Sequence, residues 1–151
     1  VGYAPIQPTV VQKLDGSLVA YMRDSGGAPQ RALVSTSTDE GETWSPAVDA
    51  DIPNPGSSLE MINLASDNWV LAFNDTEGGR HQMAIALSTD EGKTWKWKKY
   101  LDKAEPGKGN FGYPSVIQAK SGDIHVTYSY KREEGKATIK HNVFTEEWIK
   151  Q

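Results

Sequence analysis

The octapeptide STDEGETW at residues 37–44 returns as STDEGKTW at residues 88–95, a displacement of 51 positions (88 minus 37). A period of about 40 to 50 residues built from short strands is the signature of a β-propeller, in which each repeat folds as one four-stranded blade. Only three such units fit in 151 residues. The sequence therefore predicts an all-β chain of about three four-stranded blades, half of a six-bladed propeller. The blades fall near 1–52, 53–105 and 106–151 of a single partial propeller domain, 1–151.

Each copy of the octapeptide reads as a closed turn. The carboxylates of Asp39 and Asp90 are placed to accept backbone N–H groups of their own turns, and Gly41 and Gly92 take the left-handed conformation those turns need. Thr43 and Thr94 close the turn, Ser37 and Ser88 open it, and Trp44 and Trp95 are expected to pack under the blade. An acidic pair such as Asp39 and Glu40 also suggests acid–base chemistry. Duplication argues for scaffold, because a catalytic pair is needed only once.

Working outward from the octapeptides, strand-like runs pair in register across turn signals. Residues 8–13 and 17–23 join at Asp15 and Gly16, residues 58–64 and 69–74 at Asp67 and Asn68, and residues 113–119 and 123–130 at Ser121 and Gly122. The pattern predicts two-residue hairpin turns. A third strand follows each hairpin at 32–36, 82–87 and 137–144, rich in Val, Ile and alternating Ala. No helical periodicity exceeds one turn, and the last repeat carries neither an octapeptide nor an evident fourth strand.

Composition narrows the function classes. With 37% hydrophobic and 24% charged residues the chain is that of an ordinary globular domain rather than a disordered one. A net charge of −4 argues against a nucleic-acid groove. There is no cysteine, hence neither a disulfide framework nor a thiolate metal site. His81, His125 and His141 show no metal-ligand spacing, and no cofactor motif is visible. No apolar run is long enough to cross a bilayer, so no membrane partner is expected, while a secreted or periplasmic location stays open.

The pattern SxDxGxTW resembles the Asp box, or BNR repeat, of the sialidase-like propeller superfamily. The resemblance extends through IQPTVVQKLDGSLVAYMRD, PNPGSSLEMINL, NDTEGGRHQMAIALSTDEGKTW and GYPSVIQAKSGDIHVTYSY, and is to the C-terminal half of proteins labelled sialidase or neuraminidase. It implies a glycoside hydrolase acting on terminal, acidic sugars, with three arginines on the substrate carboxylate, a tyrosine nucleophile activated by a glutamate, and an aspartate acid/base. The planar donors of arginine suit both oxygens of a carboxylate.

Carried over residue by residue, the resemblance assigns Arg23 and Arg80 to carboxylate binding and Tyr113 to the nucleophile. Gln7 stands where the activating glutamate is expected, and an amide cannot accept the tyrosine proton. Ser129 replaces a further carboxylate. Counting nine positions back from the hairpin residues Gly16, Asn68 and Gly122 gives Gln7, Leu59 beside Ser58, and Tyr113, which should converge on one funnel. Asn74, at the end of a second strand, and Asp75 beside it are further substrate-binding candidates. The aromatics Trp69, Tyr128 and Tyr130 are candidates for stacking on a sugar, with Trp69 expected between blades. Three blades leave an open side, so the expected partners are a carbohydrate and either a second copy or a missing N-terminal half that completes the ring. A non-catalytic glycan- or protein-binding module, or an inactive fragment, is the rival reading.

Overall fold

The computed structural model describes residues 3–27, 29–132 and 135–151. Three antiparallel sheets follow one another along the chain. The first pairs β1 (Pro5–Gln12), β2 (Leu18–Asp24), β3 (Arg31–Ser37) and β4 (Val48–Pro53) in that order; the second pairs β5 (Glu60–Asn63), β6 (Trp69–Phe73), β7 (Gln82–Ser88) and β8 (Trp97–Lys103). The third holds β9 (Gly109–Gln118), β10 (Ile124–Arg132) and β11 (Thr138–Phe144), and a short helix, α1 (Glu146–Lys150), follows it. The sheets form part of a propeller rather than a closed ring, and the last blade has three strands among the described residues. None of the described helices is long and apolar enough to cross a membrane.

The hairpins differ from the two-residue turns read in the sequence. Lys13 N–H donates to Ser17 O at 2.8 Å and Gly16 N–H to Lys13 O at 3.0 Å, so three residues form the loop and only the third is left-handed. That residue is Gly16 (φ 88°) in the first blade, Asp67 (φ 64°) in the second and Gly122 (φ 95°) in the third. Aspartate tolerates this region better than most residues because its short side chain bonds locally. The second blade is thereby shifted one residue from the count based on Asn68. Ser58, not Leu59, is the counterpart of Gln7 and Tyr113.

The five residues of β6, WVLAF, are all buried. Alternation explains this: Trp69, Leu71 and Phe73 pack with Tyr21 and Ala32 of the first blade, while Val70 and Ala72 pack with Val126 and Tyr128 of the third. A blade covered on both faces reads as a continuous apolar run. The outer blades each have one covered face. On the other face of the first, Val10, Trp44 and Val48 are 47%, 40% and 52% exposed; on that of the third, Ile117, Ile139 and Val143 are 61%, 66% and 51% exposed.

Both octapeptide turns close as expected. Asp39 accepts from Ser37 Oγ (2.8 Å), Thr43 N–H (2.9 Å) and Thr43 Oγ1 (2.6 Å), and Asp90 from Ser88 Oγ (2.7 Å), Thr94 N–H (2.8 Å) and Thr94 Oγ1 (2.7 Å). The Thr43 hydroxyl and N–H, then Ser37, hold the Asp39 carboxyl down to about 2, and the same bonds lower Asp90. Trp95 packs against the first blade, but Trp44 does not lie under its blade as expected. Its indole N–H turns back to Gly41 O at 3.0 Å, because no neighbouring sheet covers that face.

Helix α1 occupies the place of the missing third octapeptide. Thr145 caps it by accepting from Trp148 N–H at 3.2 Å, and Ile149 is buried between blades.

Candidate functional site

Two strand-opening bulges build the centre of the funnel. In β1, Ile6 pairs with Arg23 and Thr9 with Tyr21, so Gln7 and Pro8 stand opposite one residue; in β9, Tyr113 and Pro114 do the same between the pairs Gly112–Ser129 and Ser115–Thr127. Gln7 and Tyr113 share a left-handed φ of 54°. Such a conformation costs a non-glycine residue of the order of 1 kcal/mol and persists where the surrounding strand imposes it. The bulge turns the Tyr113 ring into the open, where it is 49% exposed.

Two cations approach that side chain, Arg80 over the ring and Arg23 toward the phenol. Arg80 lies between β6 and β7, its carbonyl accepting the Phe111 N–H of β9 at 2.7 Å. Its guanidinium carbon sits 5.2 Å from the Tyr113 ring centroid, a cation–π distance. Arg80 first, and Arg23 second, hold the Tyr113 phenol below the ordinary tyrosine value, because both favour the phenolate. Arg23 reaches the site from the end of β2.

Gln7, Ser58, Glu60, Tyr113 and Pro114 line a groove of about 430 Å³, and Arg80, Asn110, Tyr113, Ser129 and Tyr130 line a second of about 230 Å³ on the other side of the tyrosine. The buried side-chain atoms Arg23 Nε, Ser57 Oγ, Ser58 Oγ and Asn74 Oδ1 have no partner among the described residues. They belong to the strand ends and connections around this funnel. Buried polar groups ordinarily find partners, so their concentration here marks a place built to receive something polar.

The other expected residues sort by the direction of the chain. Asn74 is fully buried and donates to Gln82 O (2.7 Å) and Phe111 O (2.9 Å), stapling the second blade to the third. Asp75, one residue on, turns outward to Lys98 Nζ (2.5 Å) and Tyr100 Oη (2.7 Å), so the structure does not bring it to Tyr113. That contact pushes the Tyr100 phenol up to about 12. Trp69 and Tyr128 are buried, Tyr128 hydrogen-bonding to Asp102, which leaves neither a free face inside the funnel, whereas Tyr130, stacked on Phe111 at 5.3 Å, lines the second groove.

Glu60, which the sequence analysis did not single out as a site residue, is turned by the structure into the groove. Burial raises its carboxyl, and the Val116 N–H pulls it partly back. The signal was positional: Glu60 follows the Ser58 position as Thr9 follows Gln7, and Thr9 Oγ1 likewise bonds the next blade at Met61. His125 and His141, distant in sequence, meet at 3.0 Å across β10 and β11, on the open face of the third blade and outside the groove. Among the described residues no three potential metal ligands come together.

The arrangement can therefore hold a planar anion between two fixed guanidinium groups, beside an exposed phenol whose ionisation they favour. Gln7 presents an amide and Ser129 a hydroxyl at the positions where carboxylates were sought, and Glu60, bonded to the Val116 N–H, brings a carboxyl to the groove from a different position.

Residues 3–126 match the family described as BNR repeat-like domain. The sialidase of Micromonospora viridifaciens is 27% identical over 159 aligned positions, which take in 99% of this chain and 23% of that protein. The intramolecular trans-sialidase of Ruminococcus gnavus, solved with oseltamivir carboxylate, superposes with a TM-score of 0.78 at 22% identity, covering 95% of this chain and 33% of its own. The α-L-arabinanase of Penicillium chrysogenum, solved with arabinobiose, superposes with a TM-score of 0.65 at 19% identity, covering 93% of this chain and 46% of its own. The chain thus spans under a quarter of the sialidase and just under half of the arabinanase.

Proposed function

The chain belongs to the BNR repeat-like domain family, and from that premise we propose that it carries one half of a sialidase-like glycoside hydrolase site for terminal acidic sugars. Arg23 and Arg80 bind the sugar carboxylate, Tyr113 faces the anomeric carbon and Gln7 orients the phenol. The approach of Arg80 to the exposed Tyr113 ring, and of Arg80 and Arg23 to its phenol, carries this reading. A carboxylate seated between the arginines neutralises the charges that favour the phenolate. Covalent chemistry at Tyr113 then needs a proton acceptor, which Gln7 cannot be. That acceptor and the acid/base carboxylate come from the blades that complete the funnel, supplied by a preceding half of a longer polypeptide or by a second copy.

A second reading is favoured by one observation, the amide and hydroxyl at Gln7 and Ser129. A funnel with two arginines and neither of the expected carboxylates binds an acidic glycan, or a protein partner, without cleaving it. Release of 4-methylumbelliferone from its sialoside separates the readings. Turnover that falls at least about a hundredfold in Tyr113→Phe and in Arg23→Ala supports the hydrolase. Saturable binding of sialic acid by NMR titration, lost in Arg80→Ala and with no turnover in the unaltered chain, supports the binding module. Absence of both sinks the site.

A further inference from the structure

The two junctions between adjacent blades use the same places in the fold but differ in one side chain that reaches the funnel. At the first, Thr9 Oγ1 bonds Met61 N–H (3.0 Å) and Met61 O (3.1 Å), and Glu91 of the second octapeptide accepts Leu14 N–H from the preceding hairpin at 2.7 Å. At the second, Glu146 of α1 accepts from Ser66 Oγ (2.7 Å) and Asn68 Nδ2 (2.6 Å) of the preceding hairpin, and Glu60 stands in the place of Thr9, accepting the Val116 N–H. The threonine hydroxyl uses both its donor and its acceptor inside the scaffold. A carboxylate has about four acceptor positions, and the Val116 N–H takes one.

The remainder of that capacity lies in the groove beside Tyr113. Glu60 lines it with Gln7, Ser58 and Tyr113, and among the described residues no lysine or arginine lines it. Burial raises the Glu60 carboxyl, the Val116 N–H alone opposes that, and no neighbouring cation contributes. A half-buried anion without a counter-charge is costly to keep. Ser58 Oγ, in the same wall, also has no partner among the described residues. Arg80 lines the groove on the other side of Tyr113. The two sides of the ring thus present opposite charges, guanidinium on one and carboxylate on the other.

We propose that Glu60 is a specificity-determining residue that receives an ammonium group of the ligand, so that the site selects an acidic sugar carrying a free amine over one whose amine is acylated. The inference rests on the carboxylate reading of Arg23 and Arg80 and adds a second charge to it. The ligand is a zwitterion, its carboxylate on the arginines and its ammonium against Glu60 across the Tyr113 ring. An acetamide at the same place cannot neutralise Glu60, and burying it there leaves the anion desolvated and uncompensated. Charge complementarity of this kind acts chiefly on selectivity.

NMR titration of the chain at neutral pH tests this with two probes: the methyl glycoside of N-acetylneuraminic acid, and the same anomer of the methyl glycoside of neuraminic acid, which differs from it in the free amine. The expected result is binding of the amine tighter by at least about tenfold, with both probes weakened in Arg80→Ala. Glu60→Gln keeps an oxygen for the Val116 N–H and Glu60→Thr copies the arrangement at Thr9, so circular dichroism should be unchanged in both. Each should weaken the amine probe far more than the acetamido probe and so remove the preference. Equal affinity of the unaltered chain for the two probes, tighter binding of the acetamide, or a preference for the amine that survives both variants overturns the role of Glu60. The carboxylate reading survives any of these results as long as the acetamido probe still depends on Arg80. Failure of both probes to bind overturns the two together.

Discussion

The two octapeptide turns are nearly identical in sequence and in their internal hydrogen bonds, yet they live in different surroundings. The second, at Ser88 to Trp95, lies against the first blade: a Cβ on Gly92 would meet the Tyr21 hydroxyl at 3.5 Å as well as the Trp69 ring of its own blade at 2.9 Å, and Glu91 caps a neighbouring hairpin. Among the described residues the first, at Ser37 to Trp44, meets only its own blade, and a Cβ on Gly41 would find Leu18 at a comfortable 3.5 Å. Local sequence makes the turn. Its contribution to stability is set by what the next blade brings.

Four measurements probe that comparison. The largest contrast is expected between Gly92→Ala and Gly41→Ala in urea unfolding. The left-handed backbone penalises both (φ 79° and 92°), and only the first also collides with Trp69, so about 3 kcal/mol is expected against about 1. Equal losses would mean that the Trp69 ring, packed between its own blade and the first, yields freely. Trp95→Ala should cost about 2 kcal/mol and Trp44→Ala less than about 1 in dilute monomer, the difference being the apolar surface each covers. Next, Glu146→Ala should cost about 1 kcal/mol for its two hydrogen bonds to the preceding hairpin, whereas Glu40→Ala should cost close to nothing while that end is open.

The smallest contrast should come from acid. Asp39 and Asp90 are both held below their unfolded values by bonds inside their own turns. Their contribution is therefore complete above about pH 4, the unfolded range, and is lost as pH falls toward the folded value. For Asp39 that value is about 2. Asp39→Asn and Asp90→Asn should flatten the acid limb of the stability curve equally. An unequal response would show that the junction reaches into the turn itself.

Much of the fold is legible because the repeat is written twice and its turn chemistry is local. The first and third hairpins announce themselves through Gly16 and Gly122, and counting from them finds Gln7 and Tyr113. The second hides its left-handed residue in Asp67, and the count slips by one. Trp44 cannot be distinguished from Trp95 by sequence, because burial depends on a neighbour the octapeptide does not encode. Helix α1 escapes notice for a related reason: five residues make no periodic pattern, and Glu146 does the work of Glu91 from a different element. At the funnel, Arg23 and Arg80 are read from motif position, but Asn74 and Asp75 are consecutive polar residues whose opposite directions only the folded strand decides.

The bulges at Gln7–Pro8 and Tyr113–Pro114 have a bearing on how such a site changes over generations. The strand fixes the backbone pose at both positions, and the side chain that occupies it is left free to vary. In codon terms, glutamine and glutamate differ by one base. A lineage could therefore gain or lose a carboxylate at position 7 in one mutational step, with no strand to rebuild around it.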